Sequence, residues 1–229
     1  PTPPVPPGSG SGISVSGSSG TATIQNNVVT NNAAIYGGGI YLYISSGAVT
    51  VQDNVVANNS ASSGGGVYVY IYSGTATIRG NTVATNTASA GGGMALYGGY
   101  AGTSVIAVVS NTISANTSSS YCGGGIYIPA GTASIVSNTI TGNNASWYGG
   151  GICVSDGKSD QLNHPVAYAD TDNAYVYGGN ATITGNTISG NNANSYGGGI
   201  FVSYYSVASV ISNTISGNSA SYLGGGICA

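Results

Sequence analysis

The stretch Asn186-Thr187-Ile188-Ser189-Gly190-Asn191, followed by Ala193 and then by Gly197-Gly198-Gly199-Ile200, decides the fold. Written as Asn-x-(Val/Ile)-x-x-Asn-x-Ala, a short spacer and Gly-Gly-Gly-(Ile/Val/Met), this pattern occurs seven times, with one serine in place of the alanine. The first asparagines are Asn27, Asn54, Asn81, Asn111, Asn138, Asn186 and Asn213. The second asparagines are Asn32, Asn59, Asn86, Asn116, Asn143, Asn191 and Asn218. Internal repeats of this kind indicate a repeat architecture.

The spacing of the repeat and the pattern within it predict the fold class. First asparagines follow one another at 27, 27, 30, 27, 48 and 27 residues. Within a unit, apolar residues alternate with polar ones, as Val67 and Val69 do with Tyr68 and Tyr70, and this period of two is typical of β-strands. One unit cannot bury its apolar side alone, but stacked units can. We therefore predict an all-β, single-stranded parallel β-helix, a solenoid of about seven coils of about 27 residues with three short strands per coil.

The two asparagines of each unit have a structural role in such a solenoid. Stacked at equivalent corners, each amide can bond to the rungs on either side and satisfy its polar atoms inside the coil. We therefore expect both sets of asparagines to form structural ladders. The glycine triplet fits a tight bend that needs positive φ or a close approach of two backbones.

Motifs such as Ile215-Ser216-Gly217-Asn218, with Gly224-Gly225-Gly226-Ile227 after it, resemble the repeats of the polymorphic membrane protein family. The repeats of that family pair Phe-x-x-Asn with Gly-Gly-Ala-Ile. Here Val or Ile replaces the Phe and Gly replaces the Ala, and the likeness covers roughly residues 13–229. The resemblance implies a right-handed parallel β-helix, like the surface-exposed passengers of autotransporters, and a role in adhesion.

Charged residues are scarce, which excludes several classes of function. The 229 residues include five acidic and two basic ones, 3% of the chain, against about a quarter in an ordinary soluble domain. Nucleic-acid binding needs clustered Lys and Arg, so we expect no nucleic-acid partner. With one histidine and scattered carboxylates, the chain cannot assemble a nucleophile, a base and an orienting acid. We therefore predict no enzyme activity, no catalytic residues and no cofactor. No apolar run reaches the ~18 residues of a membrane-spanning helix, so we expect no membrane-spanning segment.

Two segments depart from the repeat. Residues 1–12 are rich in Pro, Gly and Ser, and we interpret them as an N-terminal arm or linker before a β-helix of residues 13–229. One unit is about 20 residues too long, which predicts a charged loop inserted at about 155–178. In this loop Asp170 and Asp172 have the opening spacing of a calcium loop. They lack its glycine and closing glutamate, so they are a weak candidate and we expect no metal.

Aromatic residues alternate out of the predicted core just after the glycine triplets. They form two rows, one of Tyr41, Tyr68, Tyr127 and Phe201 and the other of Tyr43, Tyr70 and Tyr97. Cross-strand stacking would make such rows stabilise the sheet, whereas exposure would mark a contact surface. We expect an exposed stripe that makes a lateral protein contact, with sugar stacking as the alternative.

Threonines form rows on a second face, at Thr21-Ala22-Thr23, Thr75-Ala76-Thr77, Thr132-Ala133-Ser134 and Thr182-Ile183-Thr184. Threonine rows on a flat β-solenoid resemble ice-binding proteins, although Ala107, Val109, Val136 and Ile211 interrupt this one.

Cysteines and glycosylation sequons give further candidate sites. Cys153 and Cys228 hold equivalent places two rungs apart, roughly 9–10 Å, which exceeds disulfide reach. Pairing of Cys122 with Cys153 stays open, and Cys228 is either free, buried or placed for an intermolecular bond. Alternation turns one of the four sequons inward, at Asn116, which leaves the candidate glycosylation sites Asn58, Asn144 and Asn180.

The first and last strands of the repeat are in the same phase. Ile13 and Val15 begin one strand, and Ile227 and Cys228 begin its equivalent seven whole turns later. With no evident cap at either end, a second copy could stack head to tail, and such a contact propagates because it does not close. We therefore predict an extracellular, cell-surface structural protein that is the subunit of a self-assembling filament, with itself as partner. The alternative is a monomeric surface adhesin or carbohydrate-binding passenger with surface glycans as partners, and ice binding ranks behind both.

Overall fold

The computed structural model describes residues 12–99, 104–156 and 178–229. Every regular element within these ranges is a β-strand, and the 28 strands wind into parallel sheets that run the length of a solenoid. The predicted all-β parallel β-helix of about seven coils is confirmed. Most of the predicted arm and of the inserted loop, with Asp170 and Asp172, lies outside the described residues.

Four sheets form the walls of the solenoid. The first contains β1 (Ile13–Gly17), β4 (Ile40–Ile44), β8 (Val67–Ile71), β12 (Met94–Gly98), β16 (Ile126–Ala130), β20 (Ile152–Val154), β24 (Ile200–Val202) and β28 (Ile227–Cys228). The second contains β2 (Thr21–Gln25), β5 (Ala48–Gln52), β9 (Gly74–Arg79), β13 (Ser104–Val109), β17 (Thr132–Val136), β21 (Asn180–Thr184) and β25 (Val207–Ile211). The third contains β3 (Val28–Thr30), β6 (Val55–Ala57), β10 (Thr82–Ala84), β14 (Thr112–Ser114), β18 (Thr139–Thr141), β22 (Thr187–Ser189) and β26 (Thr214–Ser216). The fourth contains β7 (Ser60–Ser63), β11 (Thr87–Ala90), β15 (Thr117–Ser118), β19 (Asn144–Ala145), β23 (Asn192–Ala193) and β27 (Ser219–Ala220).

The number of strands per coil corrects the prediction of three. The fourth sheet consists of strands of only two to four residues, placed directly after the second asparagine of each unit. Its sequences are short runs of Ala, Ser, Thr and Asn, such as Thr87–Ala90. Two to four small residues are too few to show a hydrophobic period, so the alternation that predicts the other strands is absent here.

The register is kept across the longest coil, although it shifts between Ala95 and Tyr97 where β12 pairs with β16. Ile13 pairs with Ile40 at a separation of 27 residues, and Ile135 pairs with Ile183 at a separation of 48. The extra residues of the long coil leave after β20 and the chain returns at β21, which pairs with β17 over all five residues. Long insertions are tolerated in surface loops in this way because loop closure costs little more as length increases.

The core is a stack of β-branched side chains. In the third sheet, the central residue of each strand points inward, and these residues form a column of Val29, Val56, Val83, Ile113, Ile140, Ile188 and Ile215. Branched side chains have few rotamers and pack well on neighbouring strands. Equivalent positions in successive coils therefore stack Val and Ile on one another and fill the interior.

Each strand of the third sheet lies between two corner residues with positive φ. In all seven coils these corners are five positions apart, as at Ser110 and Ala115, each with φ of 54°. The left-handed corner immediately precedes a ladder asparagine in every case. The corner therefore turns the chain so that the asparagine side chain enters the coil.

Candidate functional site

The two asparagine ladders lie inside the coils and connect every pair of successive coils. Oδ1 of the buried Asn116 accepts hydrogen bonds from the backbone N–H and from Nδ2 of Asn86, at 2.9 and 3.0 Å. Its own Nδ2 donates to Oδ1 of Asn143 at 3.0 Å and to the carbonyl oxygen of Val83 at 2.9 Å. The bond from Nδ2 to the next Oδ1 recurs along the whole of both ladders. The amides thus satisfy backbone groups that the corners leave without a strand partner.

The ladders have a direction, so their two ends differ chemically. Each asparagine except the last of each ladder donates its backbone N–H and Nδ2 towards the following coil. In the first coil, Oδ1 of Asn27 and of Asn32 accepts no hydrogen bond from any described residue. In the last coil, the backbone N–H of Asn213 and of Asn218 has no acceptor within the described part of the chain. Among the described coils, the first therefore presents amide acceptors and the last presents backbone donors.

The terminal strands β1 and β28 occupy equivalent positions in their coils, as predicted, and this equivalence limits how two copies could stack. Ile13 and Val15 of β1 are half-buried and pack against the core, and Ile227 of β28 is 42% exposed beside the half-buried Cys228. These strands are the two edges of the same sheet, which has eight strands where the second and third sheets have seven. In a head-to-tail joint with continuous sheets, β28 of one copy and β1 of the next would have to occupy the same position in the first sheet.

The predicted exposed tyrosine stripe is wrong, because most of these side chains are buried. Tyr41, Tyr68, Tyr97 and Tyr127 are all less than 5% exposed, while Tyr43, Tyr70 and Phe201 are half-buried. They do alternate out of the main core, but they form a second hydrophobic cluster on the outer side of the first sheet.

The cover over this aromatic layer comes from the residues just before each glycine triplet. Tyr36 packs on Tyr68 with ring centroids 5.3 Å apart, and Ala90 and Cys122 occupy the same layer. In the chain, these covering residues follow the strand of the fourth sheet and precede the triplet that leads into the next strand of the first sheet. Within the layer, Tyr43 stacks on Tyr70 with ring centroids 4.8 Å apart. This is the cross-strand stacking that would make the aromatic rows stabilise the sheet.

A disulfide bond joins successive coils through the aromatic layer. Cys122 and Cys153 are fully buried with Cα atoms 5.9 Å apart, and Cys228 is a free thiol. The pairing left open by the sequence is possible because the covering residue of one coil faces the first-sheet residue of the next.

Removal of this bond is expected to destabilise the fold. The bond closes a loop of 31 residues, and constraint of the unfolded chain by such a loop is worth about 3.5–4 kcal/mol. The double variant Cys122→Ser with Cys153→Ser should lose that amount in urea unfolding, whereas Cys228→Ser should unfold like the parent chain. Equal midpoints for the double variant and the parent would contradict the prediction.

Buried phenols are expected to make the fold sensitive to alkali. Burial, with smaller contributions from Tyr43 and Tyr72, raises the pKa of Tyr70 to about 12. Burial likewise raises the pKa of Tyr68 well above its usual value. The unfolded chain loses these protons near the ordinary tyrosine pKa of about 10. The contribution of the buried phenols to the stability of the fold is therefore complete below pH 10 and is lost as pH rises from about 10 to about 12.

The melting temperature, followed by circular dichroism, should therefore fall over this window. Tyr70→Phe should reduce the fall and the exposed Tyr204→Phe should not. A melting temperature that stays constant across the window would count against these buried phenols.

The longest threonine row lies on a different face from the predicted one. On the second sheet the row is interrupted as expected. On the third sheet, Thr82, Thr112, Thr139, Thr187 and Thr214 stand in register on five successive strands and are all exposed. The repeat itself contains the signal that would have found them, since Thr follows the first asparagine in each of these five units.

The three candidate glycosylation asparagines differ in accessibility. Asn58 is exposed at a left-handed corner, and Asn180 is exposed at the start of β21. Asn144 is half-buried and its Oδ1 accepts a hydrogen bond from Nδ2 of Asn192 at 2.9 Å. The excluded sequon, at Asn116, is fully buried.

Among the described ranges, no group of three or more His, Cys, Asp or Glu side chains is placed to hold a metal ion. The same residues include no helix of the length and apolarity that crossing a bilayer requires.

Comparison with known proteins supports the architecture. The model of the family described as "Right handed beta helix region" matches residues 8–167, more than half of the chain. This match agrees with the predicted right-handed solenoid, while the closer likeness to polymorphic membrane proteins stays a prediction. Searches of curated proteins and of solved structures gave no significant match.

Proposed function

Since the chain belongs to the right-handed β-helix family, and since that fold alone does not determine a function, we propose that it is an extracellular structural protein whose solenoids stack head to tail into a filament. In this role the chain is not an enzyme, and its partner is a second copy of itself.

The observation that carries this proposal is the complementarity of the two ladder ends. A second copy placed on the last coil would bring Oδ1 of its Asn27 and Asn32 towards the free N–H groups of Asn213 and Asn218. These bonds would repeat those found between every pair of coils inside the chain. The joint would bury these half-exposed groups, and their pairing avoids the cost of about 1–3 kcal/mol for each buried polar group left without a partner.

A joint with continuous sheets requires one terminal strand to leave. In the proposed joint, β1 of the next copy takes the place that β28 occupies beside β24. The strands of the two copies are then in the same register as the strands of successive coils within one chain.

The proposed location outside the cell is supported by the disulfide bond. Disulfide bonds persist in oxidising compartments and are rare in the reducing cytosol. The bond between Cys122 and Cys153 lies in a fully buried layer, so it serves stability instead of exchange.

Assembly is tested by placing a charge at the joint. Ala208 of β25 faces inward at the end of the last coil, and its neighbour Val207 faces outward. The purified chain should form fibres visible by electron microscopy and sediment faster as concentration rises. Ala208→Lys should abolish assembly and Val207→Lys should not, provided that both variants keep the circular dichroism spectrum of the parent.

A parent chain that remains monomeric at high concentration would overturn the filament proposal and favour the monomeric adhesin. Equal assembly of the two lysine variants would show that contacts other than the stacked coils hold the fibres together.

A second candidate function, ice binding, rests on the unbroken threonine row of the third sheet. Its hydroxyl and methyl groups repeat at the strand spacing of ~4.8 Å on an uncharged face. Thermal hysteresis that is reduced by Thr139→Lys, but not by Thr132→Lys on the second sheet, would support this candidate. Absence of hysteresis in the parent chain would remove it.

A further inference from the structure

Two exposed aromatic side chains lie a fixed distance apart near the last coils. Trp147 is 51% exposed, and Tyr222, two coils further on, is 73% exposed. The backbone N–H of Ser195 donates to the carbonyl oxygen of Trp147, and that of Tyr222 donates to the carbonyl oxygen of Ser195, both at 2.9 Å. Three successive coils are therefore in register here. Trp147 and Tyr222 lie two rungs apart, roughly 9.6 Å.

Half-buried rings connect the two exposed ones into a continuous strip. Trp147 contacts Tyr148 with ring centroids 6.2 Å apart, Tyr148 stacks on Tyr196 at 5.6 Å, and Tyr196 contacts Tyr222 at 5.9 Å. Phe201 stacks beneath Tyr148 at 4.7 Å. The strip is thus supported from below, so a ligand would meet aromatic faces that are already in place.

A polar group with free bonding capacity stands in the coil between the two exposed rings. Asn194 directly precedes Ser195, its side chain is exposed, and its amide makes no hydrogen bond with any described residue. The amide offers two donors and one acceptor oxygen. Among residues 117–156 and 178–229, the only side chain with a formal charge is that of Asp156.

From this arrangement we infer that Trp147, Asn194 and Tyr222 bind a neutral oligosaccharide. The apolar faces of a sugar ring pack on aromatic rings, and its hydroxyl groups both donate to and accept from an amide. An acidic sugar or a phosphate would require Arg or Lys partners, and residues 117–156 and 178–229 contain neither. The site does not depend on the filament, because all of its residues belong to one chain.

The inference is tested by the fluorescence of Trp147, the only tryptophan of the chain. The monomeric fraction is titrated with neutral hexasaccharides of glucose, N-acetylglucosamine, mannose and xylose. At least one should produce a saturable change, and Tyr222→Ala or Asn194→Ala should weaken its binding by about tenfold, the equivalent of 1.4 kcal/mol. Tyr72→Ala, which removes an exposed tyrosine elsewhere, should leave the affinity unchanged.

Three results would overturn the inference. One is the absence of a saturable change with all four sugars. The second is an equal loss of affinity in Tyr72→Ala. The third is tighter, salt-sensitive binding of oligogalacturonate, which would identify an anionic ligand. Light scattering on the same samples reports assembly separately, so a failed filament and a failed sugar site are distinguishable.

Discussion

Replacing Asn116 with alanine is expected to lower the free energy of unfolding by about 3–5 kcal/mol. The side chain sits in the middle of the second ladder and is fully buried. Its loss removes the acceptor for the backbone N–H of Asn86 and a donor to the carbonyl oxygen of Val83. Both groups would remain buried, because the corners around them are held by the coils above and below. Water cannot replace the amide without opening the stack.

Asn180→Ala is the matched control for this variant. Asn180 is exposed at the start of β21, and its backbone N–H keeps its bond to Gly131 whatever the side chain. We expect its unfolding midpoint in urea to stay within about 0.5 kcal/mol of the parent. If Asn116→Ala lost no more stability than Asn180→Ala, the ladder would be a consequence of the fold and would not stabilise it.

The sequence predicted most of the fold because the same constraints recur in every coil. A period of about 27 residues, an inward column of Val and Ile, and asparagines at fixed positions together determine parallel stacking. The 48-residue coil tests this reasoning, since its pairing with the neighbouring coils is the same as elsewhere. A pattern present seven times outweighs one irregular unit.

The aromatic layer could not be predicted in the same way. Alternation shows that Tyr41 and Tyr68 leave the main core, but it contains no information on what lies beyond them. The cover comes from Tyr36 and its equivalents, and these positions are occupied by Tyr, Ser, Ala, Cys and Leu in different coils. With no common residue type at the covering position, the repeat has no signal for a second layer.

The candidate contact sites, too, were only partly predictable from the sequence. The two edge strands have the phase expected from the sequence, but the strand count revealed that β1 and β28 compete for one place. The aromatic strip around Trp147 was missed because its members occur in single coils and come together only through the register. Features that repeat can be inferred from the sequence, whereas features that arise once require the structure.

Replacing Gly124, the middle glycine of a triplet, with alanine is expected to cost about 3 kcal/mol or more, at the upper end of the usual cost of overpacking. A methyl group there would lie 2.5 Å from the carbonyl oxygens of Asn144 and Gly150. Both oxygens belong to the backbone of the next coil, so no side chain can rotate to make room. The coils would have to separate where Gly125 donates to Gly150 at 3.0 Å. Urea unfolding measures the loss, and a lower yield of folded chain would accompany it.

Gly142→Ala separates this crowding from the cost of backbone conformation. Gly142 has a φ of 63°, but an added methyl group there would meet nothing within 4 Å. The expected cost is only about 1 kcal/mol, the penalty of a left-handed conformation. Ala115 already occupies the equivalent corner one coil earlier with a φ of 54°, so a side chain is tolerated at this position. If both alanine variants lost the same small amount of stability, crowding between coils would not be the reason for the glycine at position 124. If Gly124→Ala lost much more, the triplet would be needed because two coils approach too closely there for any side chain.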